Sequence, residues 1–163
     1  MKNKIFKFTY LLIFSLLCIN ANSQEQFNFD VTQIDIIEKG NTFIGTKRGI
    51  ITSNDGIVIE ADQFEYQKKL NILNASGNIK IIDRINNYEI YSDNITYDKN
   101  NNFLFTDKNS KALDFVNNIE ISADIFEYSI SKNIITAKKN AAIENKVENY
   151  KVASDEITYF RNK

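Results

Sequence analysis

Three stretches of this chain are near copies of one another: ADQFEYQKKLNILNASGN from Ala61, SDNITYDKNNNFLFTDKN from Ser92 and ADIFEYSISKNIITAKKN from Ala123. Aligned on their aspartates, Asp62, Asp93, Asp124 and Asp155 recur every 31 residues without an insertion. A tyrosine stands four residues after each (Tyr66, Tyr97, Tyr128, Tyr159), and a β-branched aliphatic three before (Ile59, Ile90, Ile121, Val152). Asparagine columns run through Asn71, Asn102 and Asn133, through Asn78, Asn109 and Asn140, and through Asn87, Asn118 and Asn149. A fixed period of this length is the mark of a repeat architecture, in which no copy buries its apolar face without a neighbour. A weaker copy precedes these, with Asn41 and Phe43-Ile44 matching Asn71 and Ile72-Leu73, and the last copy reads as incomplete at Lys163. Phe-Glu-Tyr alternates with Ile-Thr-Tyr from copy to copy, so alternate copies meet different neighbours.

Within a copy, apolar and polar residues alternate with period two, as in a half-buried strand. Ile90 and Ser92 face the same way as Ile95 and Tyr97 only if one extra residue intervenes near Asp93, which predicts a β-bulge and a bend. The recurring Asp is then a corner residue whose carboxylate is expected to accept from nearby backbone N–H groups. Asparagine tolerates positive φ, so the segments at 98–102 and at Asn86-Asn87, Asn117-Asn118 and Glu148-Asn149 read as tight hairpin turns. Gly77-Asn78, Lys108-Asn109 and Lys139-Asn140 read as a mid-strand bend. The expected fold is all-β: a folded-over antiparallel sheet, two kinked strands per copy, with no helical stripe after the leader.

That leader is residues 1–23, with Lys2, Lys4 and Lys7 before an apolar run from Phe8 to Ile19 and Ala21-Asn22-Ser23 at its end. It reads as a cleaved secretory signal, since about 12 apolar residues fall short of the ~20 that span a bilayer. Residues 24–163 form the expected domain. The leader holds three of the 20 basic residues and none of the 21 acidic ones, so the domain carries a net charge of −4, which argues against nucleic acid as a partner. Cys18 leaves with the leader, so no disulfide supports the domain, and proline is absent throughout.

Nothing in this pattern points to catalysis. There is no histidine, no glycine-rich phosphate loop and no nucleophile elbow. The four aspartates repeat, which suits corners and not a singular active site. The stretch from Asp98 starts like a calcium loop, but Phe103 stands where glycine is required and Asn109 where glutamate is required. No cofactor and no metal are expected.

The stretches IEADQFEYQKKLNILNASGNIKIID at 59–83, IYSDNITYDKNNNFLFTDKNSKALD at 90–114 and ISADIFEYSISKNIITAKKNAAIEN at 121–145 resemble the OstA-like family, the β-jellyroll of LptA and of the N-terminal domain of LptD. Lys108 and Lys139 depart from the glycine at the bend, which only Gly77 keeps. The resemblance implies lipopolysaccharide transport and outer-membrane assembly in the periplasm, with lipid A acyl chains in an apolar groove and edge strands pairing with neighbouring Lpt jellyrolls. Between the two members, the stop at Lys163 suits an LptD segment slightly better than an LptA-like carrier. The residues supply a matching lining: Ile59, Phe64, Tyr66, Ile90, Ile95, Tyr97, Ile121, Phe126, Tyr128, Ile157 and Tyr159. Phe126→Glu is expected to weaken lipid contact with little loss of strand content. The competing expectation is an extracellular structural or adhesive β-solenoid with stacked asparagine ladders.

Overall fold

The computed structural model describes residues 26–161; the expected leader lies outside them. Twelve strands form one sheet: β1 (Phe27–Val31), β2 (Asp35–Ile37), β3 (Thr42–Gly45), β4 (Gly49–Ser53), β5 (Ile57–Ala61), β6 (Gln63–Gln67), β7 (Ile72–Asp83), β8 (Tyr88–Asp98), β9 (Phe103–Asp114), β10 (Ile119–Ser129), β11 (Ile134–Asn145) and β12 (Tyr150–Phe160). Every recorded pairing is antiparallel. A parallel β-helix is therefore ruled out, and with it the usual architecture of the solenoid alternative.

The strands β7 to β12 are 11 or 12 residues long and each is bent at its middle. The bend coincides with a register shift, for example between Tyr91 and Asn94 where β8 meets β9. That extra residue puts Ile90, Ser92, Ile95 and Tyr97 on one buried face, as the sequence pattern requires. The backbone turns on positive φ at Gly77 and Asn78, at Lys108 and Asn109, and at Lys139 and Asn140. Lysine adopts this region reluctantly, and the neighbouring asparagine secures it. Asn78 Nδ2 donates to Asp62 at 2.6 Å, Asn109 Nδ2 to Asp93 at 2.7 Å and Asn140 Nδ2 to Asp124 at 2.9 Å. Three of the four corner aspartates, Asp62, Asp93 and Asp124, thus accept from side-chain amides across the bend and not from the backbone N–H groups expected, because the asparagine reaches the carboxylate from the neighbouring strand; Asp62 also accepts from Arg48 at 3.0 Å. Inside the bend, carbonyls freed by the bulge accept from the Ser92 hydroxyl, which lies 3.0 Å from Lys108 O and 3.2 Å from Asp107 O.

The bend divides the sheet into two leaves. Leaf A holds 35–37, 42–45, 63–67, 72–76, 94–98, 103–107, 125–129, 134–138 and 156–160; leaf B holds 27–31, 49–53, 57–61, 79–83, 88–92, 110–114, 119–123, 141–145 and 150–154. Turns close leaf A at Asn71, Asn102 and Asn133 and leaf B at Asn87, Asn118 and Asn149, all with φ between 48° and 60°. The leaf A turns stack: Lys99 N donates to Asn71 O at 3.0 Å and Ile130 N to Asn102 O at 3.0 Å. Lys68 N donates to Asn41 O at 2.7 Å in the same manner, so the weaker first copy is a structural member of the stack. The core fills the space between the leaves.

Candidate functional site

Strand pairing turns the sequence columns into ladders on the inner face. In leaf B one ladder runs Phe29, Ile51, Ile59, Ile81, Ile90, Ala112, Ile121, Ile143, Val152, one residue per strand across nine strands. In leaf A a second runs Gly45, Phe64, Ala75, Ile95, Thr106, Phe126, Ala137, Ile157. Large and small side chains alternate along it, so each large one settles between two small neighbours, the condition for dense packing. A third ladder, nearer the free margin of leaf A, runs Phe43, Tyr66, Leu73, Tyr97, Leu104, Tyr128, Ile135, Tyr159. All eleven lining residues expected from sequence therefore lie on these three inner ladders.

They are packed, not exposed along an open groove. Ile59, Phe64, Tyr66, Ile90, Ile95, Tyr97, Ile121, Phe126 and Tyr128 are all buried, while Ile157 and Tyr159 are half-buried. Phe126 is fully buried, so a glutamate there would place a charge in a packed interior and disrupt the fold, contrary to the mild effect expected from sequence. A hollow of about 420 Å³ lies against the outward-facing Gln63, Glu65, Asn74, Ser76, Asn94 and Thr96. A much smaller one, about 40 Å³, sits at the β1 end among Phe27, Phe29, Phe43 and Tyr66.

Opposite the bend, the free margins of the leaves meet through three polar clasps. In the middle one, Tyr128 of leaf A donates to Asp83 Oδ2 of leaf B at 2.6 Å, and Asn86 Nδ2 lies 2.9 Å from that carboxylate and 3.0 Å from the tyrosine oxygen. Asp83 Oδ1 accepts from the backbone N–H groups of Ile85 and Asn86 at 3.0 and 2.8 Å. One repeat later the arrangement recurs with Tyr159 to Asp114 at 2.9 Å and Asn117 Nδ2 at 2.9 Å from Asp114, and Arg161 Nε lies 3.5 Å from the same carboxylate. One position earlier, Tyr97 donates to Asp55 at 2.9 Å, and Asp55 also pairs with Lys99 and accepts from Ser53. Tyr66, the first of the column, instead donates to Asn71 Oδ1 within its own leaf at 3.0 Å.

Burial is the main cause that pushes the Tyr97, Tyr128 and Tyr159 hydroxyls above the ordinary phenol range, reinforced by the carboxylate each one faces; Tyr159 is pushed up to about 12. Burial alone would raise the Asp55 carboxyl, but hydrogen bonds from Lys99, Ser53 and Tyr97 hold it below its usual value. These clasp acids were missed in the sequence. Their signal was present: Asp83, Asp114 and Asn145 are themselves spaced by 31, with Asn86 and Asn117 three residues beyond the first two.

The two ends of the stack differ from its middle. At the β1 end, Phe27 and Phe29 of leaf B meet Tyr66, Phe43 and Phe64 of leaf A, with the Phe27 and Tyr66 ring centroids 4.8 Å apart. At the other end β12 pairs with β11 alone, and its ladder positions emerge: Val152 is 52% exposed where Ile90 and Ile121 are 0% and 1%. Tyr150 and Phe160 are exposed on the same strand. Among the described residues no group of acidic, histidine or cysteine side chains could hold a metal ion. No helix among them is long and apolar enough to cross a membrane.

No family model matches this chain, and no curated protein matches it. Among solved structures the fold is similar to that of LptH from Pseudomonas aeruginosa, described as the LptA-homologous periplasmic component of the conserved lipopolysaccharide transport device. The match has a TM-score of 0.63 at 9% identity and covers 83% of this chain and 95% of that one. At that identity the likeness is one of fold: the chain is an open-ended antiparallel jellyroll of the LptA kind.

Proposed function

We propose that this protein is a periplasmic carrier of lipopolysaccharide that serves outer-membrane assembly. In this reading the lipid A acyl chains lie between the leaves, and the edge strands pair with neighbouring Lpt jellyrolls. The observation that carries it is the leaf B ladder, which continues without a polar interruption from a fully buried interior to the exposed Val152 on β12. Among the described residues β12 pairs with β11 alone, so this apolar row reaches an edge of the sheet. A strand added to β12 would extend backbone pairing and apolar track together.

The physical need is for shelter. Each buried methylene is worth about 0.8 kcal/mol, so a tail of about a dozen carbons costs on the order of 10 kcal/mol to move through water. Three inner ladders, made mostly of Ile, Phe, Tyr, Leu and Ala, supply a repeating apolar surface for such tails when the leaves part, and the fold shared with LptH supports the same use. Within the family, the chain serves either as an LptA-like carrier or as an N-terminal LptD segment. Export by the leader at 1–23 belongs to the same proposal.

The test is displacement of a fluorescent fatty acid from the purified protein. Intact lipopolysaccharide is expected to displace it, and the same molecule stripped of its acyl chains is expected not to. Equal displacement by both, or by neither, contradicts the proposal.

A further inference from the structure

The carrier reading meets an obstacle in the interior itself, which is packed and shut. A lipid of the proposed class has apolar tails inside and a large polar headgroup that stays in water. Wherever it sits along the stack, tails and headgroup must be joined across the free margins of the leaves. The margins therefore have to part at that place, even for a lipid that arrives from an end.

What holds the margins together is side chains. Among the described residues, no backbone hydrogen bond of the turns joins leaf A to leaf B across the mouth; the turn bonds run along each leaf. At the bend, by contrast, every long strand passes covalently from one leaf to the other. The structure can thus yield on one side only. The contacts that cross there are Tyr97 to Asp55, Tyr128 to Asp83 and Tyr159 to Asp114, the ion pairs of Lys99 with Asp55 and Arg161 with Asp114, and the bridges that Asn86 and Arg161 make between neighbouring turns. Each clasp uses polar groups that water can satisfy once the mouth is open, so opening exchanges these bonds and does not forfeit them. The closed mouth also leaves two groups poorly served: Asn133 Oδ1 in a leaf A turn and the Tyr88 hydroxyl are buried with no hydrogen-bond partner, the Tyr88 ring edge-on to Tyr128 at 5.6 Å and beneath the Arg161 guanidinium at 5.2 Å.

We infer that the Tyr–Asp clasps are the gate through which lipid is admitted sideways, each opening locally while its neighbours stay shut. The inference rests on the carrier reading. Successive clasps belong to successive tyrosine-bearing strands, two strands apart, so the gate is subdivided at roughly 10 Å intervals along the track. A lipid moving along would open the clasp ahead and allow the one behind to close, which keeps most of the interior dry throughout.

The test bridges the mouth without touching a clasp. Asn86 Nδ2 lies 3.5 Å from Ile130 O, and the adjacent Ile85 and Ser131 are both exposed, so Ile85→Cys with Ser131→Cys brings two thiols to facing turns. In a Cys18→Ser background these are joined with a flexible bismaleimide that contains a cleavable link, and uptake of pyrene-labelled lipopolysaccharide is followed. The bridged protein is expected to lose uptake, and cleavage of the link is expected to restore it. Tyr128→Phe, unbridged, is expected to speed uptake by about fivefold, the worth of one net hydrogen bond in a barrier. Equal rates with the bridge intact and cut overturn the gate and leave the carrier standing. If unbridged protein takes up no lipid at all, the carrier reading fails and the gate with it. Should Tyr128→Phe not fold, the bridged and cleaved pair still decides.

Discussion

At the scale of single residues, the same side chains serve packing and closure. Tyr128 fills a position between Leu104 and Ile135 on its ladder, and its hydroxyl reaches Asp83. Tyr128→Phe keeps the ring and removes the bond, so it is expected to lower stability by about 1–3 kcal/mol in urea unfolding at neutral pH. The pH dependence follows from burial. Unfolded tyrosines ionise near 10, while Tyr97 and Tyr128 in the folded chain stay protonated to higher pH. The unfolded state then binds fewer protons, so stability is full below pH 10 and is lost as pH rises above it. At the acid end, Asp55 contributes stability above its ordinary pKa of 3.8 that fades as pH falls through its lower folded value. Thermal midpoints across pH check both limbs; a midpoint unchanged well above pH 10 would contradict the assignment of the tyrosines to a desolvated margin. Gly45 is a packing residue of another kind, since a Cβ there would run into the Phe64 ring, and Gly45→Ala is expected to cost about 1–3 kcal/mol.

At the scale of elements, the hairpins were legible because their chemistry is local. Asn102, Asn118 and Asn133 adopt positive φ where the asparagine columns fall, and a side chain that tolerates this conformation announces itself in sequence. Asn102→Ala is expected to cost about 1–2 kcal/mol and Asn102→Gly almost nothing, by thermal unfolding. The bend was legible for the same reason, through the period-two phase slip near Asp93. What the corner aspartates bind was not, because their partner lies 16 residues away on the next strand. The clasps were hidden for a stronger reason: Tyr128 and Asp83 are 45 residues apart, and which strand of leaf A lies over which of leaf B depends on how the leaves cross. A period of 31 says that strands stack; it says nothing of the offset between the two stacks. The residues expected to line a groove fall on the inner ladders and are packed there, because degree of opening is a property of the whole assembly and leaves no mark on any one column.

At the scale of the whole molecule, a stack of identical ladders has a middle that is self-satisfied and ends that are not. The β12 end exposes Tyr150, Val152 and Phe160 on a strand with one free edge, a feature that natural sheets normally blunt. If that edge receives a neighbouring jellyroll, Val152→Glu is expected to weaken self-association or partner binding in sedimentation while leaving the unfolding midpoint nearly unchanged, because the side chain is already half in water. In the proposed carrier the acyl chains lie against the inner ladders and not the outer face. On β12, Ile157 ends an inner ladder and Thr158 beside it points outward, so adjacent residues sample opposite faces. A photo-reactive phenylalanine analogue placed at each in turn, irradiated with bound lipopolysaccharide, is predicted to yield lipid adducts from position 157 and none from 158. Adducts from 158 alone, or equally from both, would contradict it.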